Sequence, residues 1–485
     1  MNTNRTTWHG LLFMAVWCSL IVPLASSQTK PNWHVSSPAT RRALDVFIRQ
    51  LMDNAGMPGL QAVVVKDGKI VWSGAYGDAV LDVPGPRRPM RDDTIIQIAS
   101  TSKILVAIAV LQQVEKAKLS LDDDINKYLT FPVRNPRWPD VAITWRMLLT
   151  HTSSIDDMDQ ASNDSTYIYG KDDPQTFEDF MKERFEAKGI YKRQNLYRIG
   201  KPGTERMYSN EGIALAALAV ENIAHQSFAT YVQNEILAPL KMYDTSYFLA
   251  PLPKDRLSVG YVIERASDGT FSHVLQRTFL EHVPPSGTVS DNQVSYAEYP
   301  AGRIYTTATD YARLMMMFQN HGTLNGVKIL NPHSVDLMCS PSGYRNLDGW
   351  VQGLGLLGPL DLRGRQLWGH TGEDRSYSSV FYFNPETHVG AIVFANANYP
   401  DYSLSYALLD LDLHLMSWFG DPVTTPASHS VKAQIPQVRS AQPGLEMEGL
   451  VKALSGTWSI TLKLEPKRVS LGSSACEEFA PTPLS

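Results

Sequence analysis

Two hairpin-like stretches at opposite ends of the chain constrain its fold more than anything between them. Near the start, "LQAVVVKDGKIVWSGAYG" sets two β-rich runs about Asp67-Gly68, a strong short-range signal for a tight hairpin turn. Towards the other end, "SSVFYFNPETHVGAIVFANAN" repeats the pattern about Asn384-Pro385. Each hairpin has an amphipathic helix beside it. "ATRRALDVFIRQLMDNAG" precedes the first, with Leu44, Phe47, Ile48 and Leu51 at helical spacing, and "LSYALLDLDLHLMSWF" follows the second. The economical expectation is one antiparallel sheet built from both chain ends, flanked by those helices. Between Ser100 and about residue 300 the periodicity is mostly helical, as in "KILVAIAVLQQVEKAKL", "TWRMLLTH", "NEGIALAALAVENIAHQ" and "FATYVQNEILAPL". The fold class predicted is therefore α+β, an α/β sandwich with a mainly helical second lobe. A crevice between the two is the natural place for a site.

Composition narrows the functional classes. With 43% hydrophobic and 19% charged residues the chain reads as an ordinary globular protein, not as disordered, collagenous or coiled-coil. A formal charge of −5 over 485 residues provides no basic stripe for nucleic acid or an anionic membrane. Residues 1–27 read as an export signal: one Arg and no acid, then "LLFMAVWCSLIVPL", then the small residues of "ASSQ". A secreted or otherwise exported protein is expected, without a stable membrane span; an uncleaved anchor is the competing reading. Past Cys18 only Cys339 and Cys476 remain, too few for a disulfide scaffold. Asn163 heads a glycosylation sequon, "NDS". Residues 40–420 are expected to form the main domain. Residues 421–485 read as a linker and short tail, with "LSGTWSITLKLEP" as one strand. The oligomeric state is left open.

Three short motifs could carry chemistry. In "IASTSKILVAIAVL", Ser100 and Lys103 stand three apart, close enough on a helix for an ammonium to approach a hydroxyl. A desolvated lysine there would lose basicity and could take the serine proton. The bland reading is a helix cap with a snorkelling lysine, and the same spacing recurs by chance at Ser27 and Lys30. The run after Lys103 is apolar on every face, which favours a buried lysine. In "KPGTERMYSNEGIALAALA", Tyr208 is either a general base, as a cation-stabilised phenolate, or a packed aromatic. Asn210 is either an amide that holds a substrate carbonyl or a helix cap. In "LWGHTGEDRSYSSVFYF", His370, Thr371 and Gly372 are either a turn or a strand edge along which an acyl chain could lie. No metal-ligand cluster, glycine-rich phosphate loop or GxSxG elbow is present, so no metal or other cofactor is expected.

Together and in this order, the motifs resemble the serine β-lactamase and penicillin-binding-protein superfamily. They look most like the branch of class C β-lactamases, related esterases, D-aminopeptidases, acyltransferases and LACTB-type proteins. "LDDDINKYL", "ITWRMLLTHTSSI", "ILAPLKMYDTS", "YPAGRIYTTATDYARLM" and "WGHTGEDRSYSS" match that branch across roughly residues 40 to 420. The resemblance implies a β-lactamase/transpeptidase-like fold and a serine hydrolase acting through an acyl-enzyme on a small ester or amide. An acyltransferase with the same residues, and a silent binding protein, stand as alternatives. It implies Ser100 as nucleophile, Lys103 and Tyr208 as its proton-handling partners, and Asn210 as substrate-orienting amide. His370 would stand where many relatives carry Lys, beside Thr371 and Gly372, and the backbone N–H groups of Ser100 and Glu373 would form an oxyanion hole. Three departures stand out: "HTSS" at residues 151 to 154 for the commoner His-Thr-Ser-Gly, Arg303 for a second glycine, and "GEDRSY" after His370. His at 370 weakens the case for a carboxylate-bearing substrate such as a penicillin. His151 reads as structural.

Overall fold

This computed structural model describes residues 38–420, apart from 83, 158–164, 187–188, 190–195, 283 and 286, together with 448–454 and 457–463. The expected export segment, the sequon at Asn163 and Cys476 lie outside the described residues.

Helix α1 (Pro38–Asn54) leads into β1 (Gly59–Lys66) and β2 (Lys69–Val80). Asp67 and Gly68 both adopt left-handed backbone, φ 50° and 69°, the turn whose twist matches paired strands. A short β3 (Arg88–Pro89) follows, and then α2 (Lys103–Glu115), buried from Lys103 to Gln113. Next come α3 (Phe177–Phe185), α4 (Asn210–Ala224), a strand pair β4 (Tyr261–Arg265) and β5 (Phe271–Leu275), and α5 (Ala308–Gln319). The chain returns as β6 (Trp368–Asp374), β7 (Tyr377–Asn384), β8 (Val389–Ala395) and α6 (Leu404–Phe419).

The sheet joins both chain ends in the order β6-β7-β8-β1-β2-β3, with the ends meeting where β1 pairs antiparallel with β8, Leu60 opposite Ala395. All residues of β7 and β8 are buried. Because successive strand residues face opposite sides, both faces must be covered. Helix α6 packs on β7 and β8, and α5 on β1 and β8. Phe47 of α1 meets Trp418 of α6 with ring centroids 5.3 Å apart. The second lobe is centred on α2 against α4, two helices apolar all round and hence interior.

Two features depart from expectation. The block expected to be mostly helical contains the β4–β5 pair, which turns at Asp268-Gly269. The C-terminal segment, expected as one strand, is a hairpin of β9 (Glu448–Leu454) with β10 (Thr457–Lys463), seven paired positions long. The preceding run "EGLVKAL" supplies the partner that a lone strand would lack.

Candidate active site

Ser100 lies in a 3₁₀ turn, Ala99–Ser102, that runs into α2 at Lys103. In that geometry side chains three apart eclipse, and Lys103 Nζ donates to Ser100 Oγ at 2.9 Å. Ala99, just before the serine, has φ 46°, a left-handed backbone that costs a non-glycine residue about 1–3 kcal/mol. The surroundings hold it there. Ser102 Oγ donates to Ala99 O at 2.6 Å and accepts from Ile304 N at 3.0 Å, while Tyr311 OH donates to Thr101 O at 2.7 Å. The sheet's edge strand β6 passes so close that a Cβ at Gly372 would sit 2.2 Å from Ile98 O.

The snorkelling alternative for Lys103 does not hold, because the residue is 1% exposed. Its amine also donates to Asn210 Oδ1 at 2.6 Å and to Ala301 O. Burial pulls its pKa down to about 7 against the opposing charges of Asp157, Glu298 and Glu211, so near neutrality a large share is free amine. Tyr208 hydrogen-bonds Ser100, and its ring lies 5.1 Å from Lys103 Nζ. Burial raises the phenol well above its ordinary pKa, outweighing the Ser100 hydrogen bond and the Arg206 charge. The cation-stabilised phenolate considered from sequence is thus disfavoured; the group is a neutral phenol. His370, its ring 6.2 Å from that of Tyr208, is driven down to about 3 by burial and by Lys103. It offers a neutral imidazole where a lysine would offer a cation.

Asn210 is not the cap of α4. Ser209 is, its Oγ accepting from Gly212 N at 2.9 Å. Asn210 instead donates its backbone N–H and its Nδ2 to the two oxygens of Asp157, each at 2.7 Å. With Oδ1 held by Lys103, the amide is fixed on both sides. Asp157 escaped the sequence reading because it sits in an aperiodic loop. His151, read as structural, abuts Tyr208 with ring centroids 4.5 Å apart, and its Nδ1 accepts from Ser209 N at 3.2 Å. Burial keeps it neutral, as that acceptor role requires. It buttresses the tyrosine.

Two cavities meet at Ser100. The larger, about 470 Å³, is lined by Tyr208, Asn210, His370 and Thr371, with Arg206 and Trp350 farther out. The smaller, about 100 Å³, is lined by Asn210, Tyr167, Tyr296, Glu298, Ala301 and Asp374. Glu373 borders both, its carboxylate receiving Ser405 Oγ. All the residues singled out from sequence thus gather at one serine. Two departures also find physical reasons. Ser154, where glycine is common, holds φ 63°, with its Oγ receiving Asn135 Nδ2 at 2.9 Å. Arg303, 0% exposed, pairs with Asp172 and lies over the Phe248 ring at 5.7 Å.

Among the described residues no helix is long and apolar enough to cross a membrane, and no group of three or more His, Cys, Asp or Glu could hold a metal. A family model described as Beta-lactamase matches residues 44–414. Protein flp of Staphylococcus aureus (strain MRSA252) is 23% identical over 359 residues, 74% of this chain and 63% of that protein. Beta-lactamase-like protein 2 of Dictyostelium discoideum is 26% identical over 356 residues, 71% of this chain and 58% of that protein. The chain therefore spans less than two thirds of the length of these curated relatives. Among solved structures, the octameric penicillin-binding protein homologue from Pyrococcus abyssi superposes with TM-score 0.59 at 24% identity, covering 76% of this chain and 77% of that one. D-amino acid amidase from Ochrobactrum anthropi SV3, complexed with L-phenylalanine amide, gives TM-score 0.56 at 19% identity, over 77% and 97%. At such identities these likenesses establish the fold.

Proposed function

The chain belongs to the beta-lactamase family, and from that premise we propose that it is an exported serine hydrolase forming an acyl-enzyme on Ser100. Its substrate is an ester or amide, of esterase or D-peptidase type. The observation that carries the reading is the buried Lys103 amine, 2.9 Å from Ser100 Oγ, with a pKa of about 7. Beyond its hydrogen bonds to Asn210 and Ala301, an amine kept there as free base is the proton acceptor a serine nucleophile needs.

In the proposed cycle Lys103 Nζ takes the Ser100 proton while Oγ bonds to the substrate carbonyl carbon. The oxyanion is received by the backbone N–H groups of Ser100 and Glu373. Tyr208, a neutral phenol, gives its proton to the leaving alcohol or amine as the carbonyl–leaving-group bond breaks. The phenol is restored by the proton held on Lys103. Water then gives a proton back along the same pair, adds to the acyl carbon, and frees Ser100. Asn210, clamped by Asp157, holds the acyl carbonyl side. The neutral His370 removes from its own position the cation that a lysine would offer a penicillin-like carboxylate, leaving Arg206 as the cation that lines the larger cavity, and this supports esters or amides over β-lactams.

The test is acylation by a fluorophosphonate probe. Labelling at Ser100, identified by peptide mass, with loss of labelling and ester turnover in Ser100→Ala, is the expected result. Turnover surviving in Ser100→Ala overturns the mechanism.

A further inference from the structure

Among the described residues, Ser100, Asn210, Glu373 and Tyr402 border both cavities. The first three have their places in the proposed cycle, so Tyr402 is the shared residue to which that cycle assigns no task. It stands in the turn between β8 and α6 with φ 63°. Tyrosine seldom adopts this left-handed backbone, which glycine or asparagine adopts at lower cost. Position 402 therefore carries its ring in spite of its backbone. Outliers of this kind persist where the surroundings over-determine them, and they cluster at active sites.

The turn is held from several sides. Tyr402 N donates to Tyr399 O at 3.0 Å, and Asn398 Oδ1 accepts from Tyr399 N at 2.9 Å and from Leu404 N at 3.3 Å. Asn398 Nδ2 donates to Asp374 O at 2.8 Å, which ties the turn to the end of β6. From the connection between β6 and β7, Arg375 sets its guanidinium 5.1 Å from the Tyr402 ring centroid and donates to Pro400 O at 3.2 Å. That cation–π contact fixes the direction of the ring. The ring is thus held at the boundary between cavities of about 100 Å³ and about 470 Å³. Tyr208, the proton donor to the leaving group, lines the larger and not the smaller, so the acyl portion falls to the smaller. Its volume equals roughly three waters at about 30 Å³ each, which admits only a short chain while the ring stays in place.

We propose that Tyr402 is a specificity-determining partition: its ring separates the acyl side of the site from the leaving-group side and so sets the longest acyl chain that Ser100 accepts. The inference rests on the acyl-enzyme reading above.

The test uses two series on the full chain. One is p-nitrophenyl esters from acetyl to octanoyl; the other is alkylphosphonofluoridates from methyl to octyl, whose labelling of Ser100 needs no turnover. In wild-type protein both rates should fall about tenfold or more from the shortest chain to the longest, the discrimination a filled pocket provides. Tyr402→Gly suits the left-handed backbone and removes the ring, so the short-to-long ratio should drop to near one. Tyr402→Asn, tolerant of the same backbone, should do likewise, and Tyr402→Phe should keep the ratio. A glycine or asparagine variant with the wild-type ratio overturns the proposal, because a residue that only shaped the turn would change all chain lengths alike. Loss of the ratio in Tyr402→Phe overturns it too, by placing the effect in the hydroxyl. So does wild-type protein indifferent to chain length, or failure of both small variants to label even with the methyl probe, since the ring would then serve the reaction centre itself. If no probe labels Ser100 in wild-type protein, the acyl-enzyme reading falls instead.

Discussion

Gly372→Ala isolates the geometry on which the nucleophile depends. A Cβ at this position would stand 2.2 Å from Ile98 O, 2.3 Å from Ser379 Oγ and 2.8 Å from Thr101 Oγ1. Those three atoms form a knot: Ser379 Oγ donates to Ile98 O at 2.6 Å and meets Thr101 Oγ1 at 2.5 Å. Ile98 and Thr101 flank Ser100 on either side of the strained Ala99, so the knot fixes where the nucleophile sits relative to β6. A methyl group requires the strand and the turn to part by about 0.8 Å to reach a tolerable 3.0 Å separation from Ile98 O. Neither neighbour is a flexible side-chain tip, since one is backbone and the other a hydroxyl bonded into the knot. Overpacking of this kind costs about 1–3 kcal/mol of stability, and a displacement near 1 Å at a reacting group costs about a hundredfold in rate. Gly372→Ala should therefore remain folded by circular dichroism, melt at lower temperature, and lose about two orders of magnitude in the second-order rate of fluorophosphonate labelling at Ser100. A variant that labels at the wild-type rate would refute the reasoning, because the turn would then not be positioned by its approach to β6.

The remaining predictions concern the lysine and its neighbours. The Ser100 labelling rate should rise with pH through about 7 and then level off, because Lys103 must be unprotonated to take the serine proton and burial has lowered its pKa to about 7; a rate that falls between pH 6 and 8 would contradict its role as base. Asp157→Ala should release Asn210 from two 2.7 Å hydrogen bonds, one from its backbone N–H and one from its side-chain amide, and slow acylation about 10- to 100-fold, the range expected when a positioning contact is lost. Kinetics on an ester series should show that loss in kcat, and a change confined to KM would show that the clamp only assists binding.

Much of the chemistry was legible in the sequence because it follows from burial, and burial follows from local pattern. The apolar run "ILVAIAVL" behind Lys103 foretold a desolvated lysine, and Asp67-Gly68 foretold the hairpin that brings the chain's start into the sheet. An equally good turn dipeptide, Asp268-Gly269, went unused because the runs beside it are only five residues long and are interrupted by Glu264, Arg265, Ser272 and His273. Asp157 and His151 carried no signal of their own. Each acts through contacts made across the fold, and an aperiodic loop does not announce which side chain it will touch. The phenolate weighed for Tyr208 failed for a related reason: the burial that outweighs any nearby cation depends on what closes over the ring.

Specificity is built from those same illegible loops, and here the departures from the family pattern inform more than the motifs do. The segment holding Tyr167 is pinned on one side where Ile168 and Tyr169 pair with Ser295 and Val294. It is pinned on the other where Asp172 meets Arg303 and accepts Leu249 N at 3.0 Å. A buried guanidinium is tolerable only with its carboxylate in place, so a glycine at 303 would leave Asp172 without its cation and loosen that second pin. That loosening bears on the cavity of about 100 Å³ beside Ser100 that Tyr167 helps to line, although Tyr167 OH keeps its own hydrogen bond to Asp374 at 2.9 Å. Arg303 thus bears on the shape of the smaller cavity without lining it, while His370 lines the larger one as a neutral imidazole. The two positions bear differently on the reaction centre: Arg303 makes its contacts with Asp172 and Phe248, while His370 feels the Lys103 charge directly and adjoins Tyr208.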